Sequence, residues 1–474
     1  MISICQPFAA KRHRPARNLS PAGGTCLLVA LFTLLAPAAR PADMTATNRL
    51  VRWATQDYML GDWDGLRTDL SRHGVDLELF YAGSLPDNLA GGLRTGAIYQ
   101  GAGLGTLDLD SEKLLGYEGG TLHVSGLLLH GEKPFSPNYS GDYNRVNLLD
   151  FDNAFRLWEL SYRQKFLKDK FSFRFGKLSV DSDFLTPEYY TGFGQFTLLN
   201  QTWLYPSMAY NVFNVPGFPA NNHGLATTPL ATPGAVLDWT PNPEHYLQAG
   251  LYGGTPDQTY SGTRFQISQQ DGALGYLETG WRRHPGTNDP SPGGTIKLGA
   301  YYHTSQFTDA HDGVFYAAGL NPNPAQHTGN YGVYLVAEQQ LWLARGKADP
   351  AQRGLVGFAR VLGGPPDRGL IDLQFDAGLV ARGPLPSRGW DTLALAASYL
   401  QFSRGIRHAQ QELDELAPGS VVPVDYEGVV ELSYKAQLTA WWTLQPSVQY
   451  VFHPGGSAAL PDATAFILQT TLRF

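Results

Sequence analysis

The strongest constraint on this chain is a two-residue period in its apolar side chains, clearest at T-A-F-I-L-Q-T-T-L-R-F, Thr464 to Phe474. Thr464, Phe466, Leu468, Thr470, Leu472 and Phe474 fall on one side of an extended strand. Ala465, Ile467, Gln469, Thr471 and Arg473 fall on the other, which turns polar toward the end. A closing strand that offers an apolar, aromatic face suits a sheet whose outer surface meets lipid. In such a sheet lipid-facing and lumen-facing residues alternate.

The N-terminus reads as an export leader. Lys11, Arg12, Arg14 and Arg17 precede the apolar run Cys26 to Leu35, and Ala36-Pro37-Ala38 supplies small residues for cleavage near Ala38. Both cysteines, Cys5 and Cys26, lie in this leader. The mature chain is therefore expected to hold no disulfide, zinc-thiolate site or cysteine nucleophile. The leader carries four of the 35 Lys+Arg and none of the 42 Asp+Glu, so its loss takes the formal net charge from −7 to −11. That balance speaks against nucleic acid as a partner and leaves a pore open, where local rings of charge matter more than the total. After the leader no apolar run reaches the ~18 residues of a membrane-spanning helix. The 24 Tyr, 24 Phe, 10 Trp and 53 Gly suit a barrel or a large secreted β-protein, and composition alone does not separate them.

Residues 39–74 form an N-terminal periplasmic segment. Pro41 to Leu60 reads as irregular, and Gly61 to Gly74 as one short helix capped by Asp62 and Gly74, with Trp63, Leu66 and Leu70 on one face. From Val75 to Phe474 the period is two. Strands are expected near 75–83, 96–109, 120–129, 153–164, 170–180, 233–240, 245–253 and 272–283. Eight more are expected near 294–304, 329–343, 353–363, 370–382, 390–402, 424–437, 441–452 and 463–474. Connections alternate between long (130–152, 254–271, 305–328, 403–423) and short (165–169, 241–244, 438–440). Sandwiches and propellers predict no such asymmetry, whereas outer-membrane barrels have short inner turns and long outer loops. The expected fold is all-β: a sixteen-stranded antiparallel transmembrane β-barrel, with a short N-terminal helix and a long third loop, 181–232, folded inward. A barrel of this size leaves a water-filled lumen. The third loop is rich in Tyr, Phe, Asn and Gln, has no Lys or Arg, and carries three acidic residues, Asp181, Asp183 and Glu188. A loop this long in a compact protein tends to be functional.

Several runs resemble the carbohydrate-selective porins of the OprB family. Leu60 to Leu70 (L-G-D-W-D-G-L-R-T-D-L) is similar to that family's opening motif, with Asp64 where Gly is usual. Leu107 to Ser125, Trp158 to Phe166 and Phe173 to Phe184 resemble its second hairpin and the strands entering its constriction loop. Val430 to Gly456 resembles its most recognisable run. The resemblance covers about Leu60 to Phe474. It implies a sixteen-stranded outer-membrane channel for passive uptake of sugars such as glucose and small oligosaccharides. It also implies contact with outer-membrane lipid and handling by barrel-assembly machinery through the strand ending at Phe474.

A sugar channel needs aromatic faces for pyranose C–H groups and planar polar groups for hydroxyl pairs. If Phe171, Phe173 and Phe175 face lipid, Arg174 faces inward; a bulge at Gly176 would then keep Lys177, Ser179 and Asp181 inside and put Leu178 and Val180 outside. On the neighbouring strand Trp158, Leu160 and Tyr162 are expected outside, with Glu159, Ser161 and Arg163 inside. Arg174, Lys177, Glu159, Arg163 and Asp181 would share one inner wall, either gripping hydroxyls or stiffening the wall as an ion-pair ladder. Trp203 and Tyr205, beside Asn200 and Gln201, are the candidates for a stacking platform, or for packing the loop onto the wall. The twelve His show no ligand spacing, and no nucleophile-elbow or phosphate-loop pattern occurs, so neither a cofactor, a metal nor an enzymatic activity is expected. A general diffusion pore, a hydrolase barrel and a plugged structural barrel remain as competing readings.

Overall fold

The computed structural model describes residues 49–132, 134–189, 197–204, 226–283, 292–344 and 353–474. The expected leader, residues 1–38, lies outside them. Sixteen long strands are present among the described residues. They are β1 (Val75–Ala90), β2 (Gln100–Asp110), β3 (Gly120–Gly131), β4 (Ala154–Phe166), β5 (Phe171–Leu178), β6 (Thr232–Asn242), β7 (His245–Gly253) and β8 (Ala273–Arg283). The second half comprises β9 (Gly294–Thr308), β10 (Gln326–Leu343), β11 (Gly354–Gly363), β12 (Ile371–Arg382), β13 (Thr392–Phe402), β14 (Tyr426–Thr439), β15 (Trp442–Phe452) and β16 (Ala463–Arg473). Each pairs antiparallel with the next, and β16 returns to β1, with Phe80 opposite Arg473 and Leu85 opposite Leu468. The ring is closed, so no sheet edge is left unpaired along its length.

Burial is inverted relative to a water-soluble protein. Val333, Phe375, Leu395 and Leu432 stand on the outer surface, each about half exposed, while Asp376, Glu431, Arg360 and Lys297 on the inner surface are almost fully enclosed. Apolar groups outside and paired charges inside are stable only where the outer solvent is hydrocarbon. Trp239, Trp281, Trp342 and Trp390 are exposed at or beside the short-turn ends of β6, β8, β10 and β13, where a membrane–water boundary favours indole rings. Among the described residues no helix is long and apolar enough to cross a membrane.

Tyrosines on the inner face lie flat over glycines of the next strand. Tyr246 is directly opposite Gly280, Tyr334 opposite Gly299, and Tyr301 opposite Gly332. A Cβ at Gly280 would fall within the Tyr246 ring, so only glycine lets ring and backbone approach this closely.

Four local expectations are corrected. β1 runs to Ala90, seven residues past its expected end, because its upper half pairs fully with β16. The strand expected at 96–109 is broken at Ile98–Tyr99: a two-residue bridge, Gly96–Ala97, precedes β2. Within the stretch read as irregular lies helix α1 (Arg49–Thr55), whose Trp53 ring sits 4.5 Å from Trp441 in the turn between β14 and β15. The single helix expected over 61–74 is a turn at Trp63–Gly65 followed by α2 (Leu66–Arg72), since Asp64 and Gly65 adopt positive φ. Its buried residue is Arg67, not the apolar Leu66. Arg67 lies 3.8 Å from the Tyr58 ring and donates to the main-chain oxygens of Leu77 and Phe474.

Candidate functional site

The third loop connects β5 to β6, and its described parts, 179–189, 197–204 and 226–231, lie along the inner wall. Wall carboxylates hold it by its main chain. Ser179 N–H donates to Glu159 of β4 (2.8 Å) and Leu185 N–H to Glu278 of β8 (3.1 Å). Glu188 and Tyr189 N–H donate to the two oxygens of Glu338 on β10 (2.7 and 2.8 Å). Leu199 and Asn200 N–H donate to the two oxygens of Glu431 on β14 (2.6 and 3.0 Å). Arg360 of β11 then donates to the Thr202 carbonyl, and Gln374 of β12 to its hydroxyl. The described parts of the loop are therefore bonded to the inner wall at β4, β8, β10, β11, β12 and β14, as an inward-folded loop must be.

A second inward loop was not anticipated. Residues 134–153, between β3 and β4, also enter the barrel. Tyr143 and Asn144 N–H donate to Glu427 of β14 (2.7 and 2.8 Å), and Gln449 of β15 donates to Val146 O. The two loops meet where Gln201 N–H donates to Arg145 O at 2.9 Å and the Gln201 side chain reaches Leu148 O. Carboxylates that accept paired backbone N–H groups form charge-assisted bonds, and each fixes two successive peptide units.

The expected wall residues are distributed as follows. Arg174 is buried and ion-paired with Asp183, with Glu159 at 3.8 Å; Tyr252 adds a bond to Asp183. Glu159 also lies 3.9 Å from His123, which bonds Asp108 at 2.7 Å. Arg163, half-buried, is directly opposite Arg174 across the β4–β5 pair. Asp181 accepts from Ser179 and from Thr228 N–H, closing the two ends of the third loop on each other. Burial pushes the Asp181 carboxyl up to about 6, against the bonds from Ser179 and Thr228. Asn200 is fully buried and donates to Gln449 at 3.0 Å, so Asn200 and Gln201 join loops to wall. After the short helix α3 (Ser111–Leu115) between β2 and β3, the next is α4 (Gln201–Leu204), which holds Trp203; Tyr205 lies outside the described residues.

Four side-chain orientations are corrected, all from one cause. No register shift occurs at Gly176; the bulge sits on β4, where Trp158 and Glu159 together oppose Ser125 of β3. Trp158 therefore packs inside with Leu104 and Leu127. Leu178 and Val180 join the inner cluster around Phe184 and Tyr252. Lys177 leaves the face that carries Arg174. Its Nζ donates to Asp257 at 2.7 Å and to Gly262 O, both in the connection 254–272, which also bonds the β4 main chain at Leu157.

Charged side chains missed from sequence line the lumen further round. Glu188 bonds Arg282 of β8 and Lys297 of β9, each at 3.1 Å, and the Arg282 guanidinium stacks 4.5 Å from the Tyr246 ring. The Glu188 carboxyl is held below the usual range: burial opposes this, and the two cations outweigh it. Alternation along 274–283 and 294–302 could have placed Arg282 and Lys297 inward, but no sequence signal joins them to Glu188. Arg282 and Glu188 keep about a quarter to a third of their side-chain surface, so they remain reachable by a solute. The arrangement can offer planar donors and acceptors beside aromatic rings, in a neck narrowed by two loops.

The model of the carbohydrate-selective porin, OprB family, matches residues 94–474. The chain is 27% identical over 479 positions to Porin B of Pseudomonas aeruginosa, covering 96% of this chain and 97% of that protein. It is 24% identical over 465 positions to the putative porin QuiX of Acinetobacter baylyi, covering 93% and 98%. A high-pH structure of Pseudomonas putida OprB shares the fold with a TM-score of 0.75 at 22% identity, covering 89% of this chain and 99% of that one.

Proposed function

Because this chain belongs to the carbohydrate-selective porin (OprB) family, and so is a channel rather than an enzyme, we propose that it passes monosaccharides such as glucose, and small oligosaccharides, by passive diffusion. The observation that carries this reading is the state of the wall carboxylates. Glu278, Glu338, Glu427 and Glu431 are turned onto loop N–H groups, and Glu188 onto two cations. Their oxygens are taken up by loop donors and, for Glu188, by two cations rather than presented to the lumen, so the neck favours a neutral, hydroxyl-rich solute over a bare ion.

In this reading Arg163, Arg282 and Glu188 bond solute hydroxyls, and Trp203 and Tyr205 supply stacking faces. Arg174, Glu159, Asp181, Asn200 and Gln201 hold the loops in place, and Lys177 ties down the connection 254–272. The protein works in the outer membrane after export and cleavage near Ala38. Its apolar surface meets lipid, and its last strand is read by the barrel-assembly machinery. Reconstitution into planar bilayers and sugar-loaded liposomes tests the proposal. Conductance that falls as a monosaccharide is titrated in supports it. Conductance indifferent to every sugar makes the protein a general pore, and no conductance makes it a plugged barrel.

A further inference from the structure

Two helices stand in the long-loop ends of the barrel: α5 (Ala310–Ala317), between β9 and β10, and α6 (Arg404–Leu416), between β13 and β14. Ala310, Ile406, Ala409 and Leu413 are buried among the packed loops, so the facing sides of the helices are fixed. Above that apolar contact, His311 of α5 meets His408 and Glu412 of α6. His311 Nε2 is 3.0 Å from Glu412 Oε2, and His408 Nδ1 is 3.2 Å from Glu412 Oε1. One donor atom from each of the three lies within 4.8 Å of the others. We propose that His311, His408 and Glu412 form a binding site for a divalent transition-metal ion of the Zn2+ class, which staples the two loops together.

The geometry suits such an ion. Metal–ligand bonds of roughly 2.0–2.1 Å in a tetrahedral site place ligand atoms ~3.3 Å apart, close to the two observed separations. His408 and Glu412 are one helical turn apart, so both side chains leave α6 on the same side. The His311 ring is held in place: it stacks on Phe315 with centroids 5.1 Å apart, and its Nδ1 faces Asp312 at 3.7 Å. A carboxylate behind the outer ring nitrogen is the usual support for a metal-bound imidazole. Two imidazoles and one carboxylate select Zn2+, Co2+ or Ni2+ over Ca2+ or Mg2+, which take oxygen ligands. His408 and Glu412 keep 65% and 39% of their side-chain surface, so an ion reaches the site from solution and a water completes its shell.

The inference is independent of which solute the channel carries. It is tested on the full mature protein, folded in detergent and dialysed against Zn2+, with Co2+ substituted to read ligand geometry by visible absorption. The expected result is one Zn2+ retained per chain and a tetrahedral Co2+ spectrum. Glu412→Gln and His408→Ala should each lower affinity on the order of tenfold or more, while His73→Ala should leave it unchanged. Both residues sit on the exposed side of a loop helix, so unheated gel mobility should stay that of the folded barrel. Absence of stoichiometric binding overturns the proposal. So does binding that survives both substitutions, which would leave these contacts as simple imidazole–carboxylate pairs.

Discussion

Glu431→Gln should loosen the third loop without disturbing the barrel. Glu431 is fully enclosed, and its two oxygens accept from Leu199 and Asn200 N–H, with Ser447 Oγ adding a third bond at 2.8 Å. Glutamine keeps the shape but turns one acceptor into an NH2 group, which then faces a peptide N–H. Hydrogen bonds to a charged group contribute about 1.5–3 kcal/mol each, and the surviving neutral bond about 1 kcal/mol. The net loss is about 3 kcal/mol, which shifts the ratio of released to docked loop by roughly two orders of magnitude. Asn200–Gln449 and Arg360–Thr202 still hold the segment, so it fluctuates rather than leaves. Single-channel recording is the assay: a higher-conductance state should rise about a hundredfold in occupancy, with weaker sugar block while it lasts. Gln449→Leu, which removes two neutral bonds, from Asn200 at 3.0 Å and to Val146 O at 2.7 Å, costs about 2 kcal/mol and should raise the same state only about thirtyfold. Unchanged occupancy and unchanged sugar block in Glu431→Gln would refute the idea that wall carboxylates set the neck.

Three further outcomes are expected. Arg174→Ala leaves Asp183 and Glu159 enclosed without their cation, a loss of about 3–5 kcal/mol, and should weaken sugar block and change ion selectivity in bilayers. Gly280→Ala forces the Tyr246 ring off the backbone and should cost about 1–3 kcal/mol, measured by urea unfolding of the detergent-folded barrel. The third concerns pH. Burial holds the Asp181 carboxyl up at about 6, above the 3.8 of a free aspartate side chain, so the fold prefers it neutral. Its contribution is fully present below about pH 4 and is lost as pH rises through about 6. Asp181→Asn should therefore be more thermostable than the parent at pH 7, with the gap closing below pH 4; a pH-independent gap would exclude the titration.

The strands were legible because lipid on one side and a polar lumen on the other impose a two-residue period that no other environment imposes so widely. Ile296, Leu298 and Ala300 against Lys297 and Gly299 show it without help from any partner. The bulge was not legible. Gly176 looked like its site, yet the extra residue sits at Trp158–Glu159, because a bulge is settled by what the partner strand can pair. Glu431 could be placed on the inner face, but its ligands are the peptide N–H groups of Leu199 and Asn200, and a backbone donor leaves no trace in side-chain identity. The loop-to-loop contact at Gln201 was hidden for the same reason. His311 and His408 showed no ligand spacing because their proximity is made by two separate loops.

The tyrosines laid over glycines carry a consequence for the bore of the channel. A ring flat against the wall occupies only its own thickness, and the glycine behind it is what permits that posture. Where the backbone beneath Tyr246, Tyr301 or Tyr334 gained a side chain, the ring would have to stand up and project toward the axis. The aperture along β7 to β10 is therefore governed from behind, by residues a permeating molecule never touches. Exchanging those glycines one at a time offers a graded way to narrow the passage while leaving every solute-facing group unchanged.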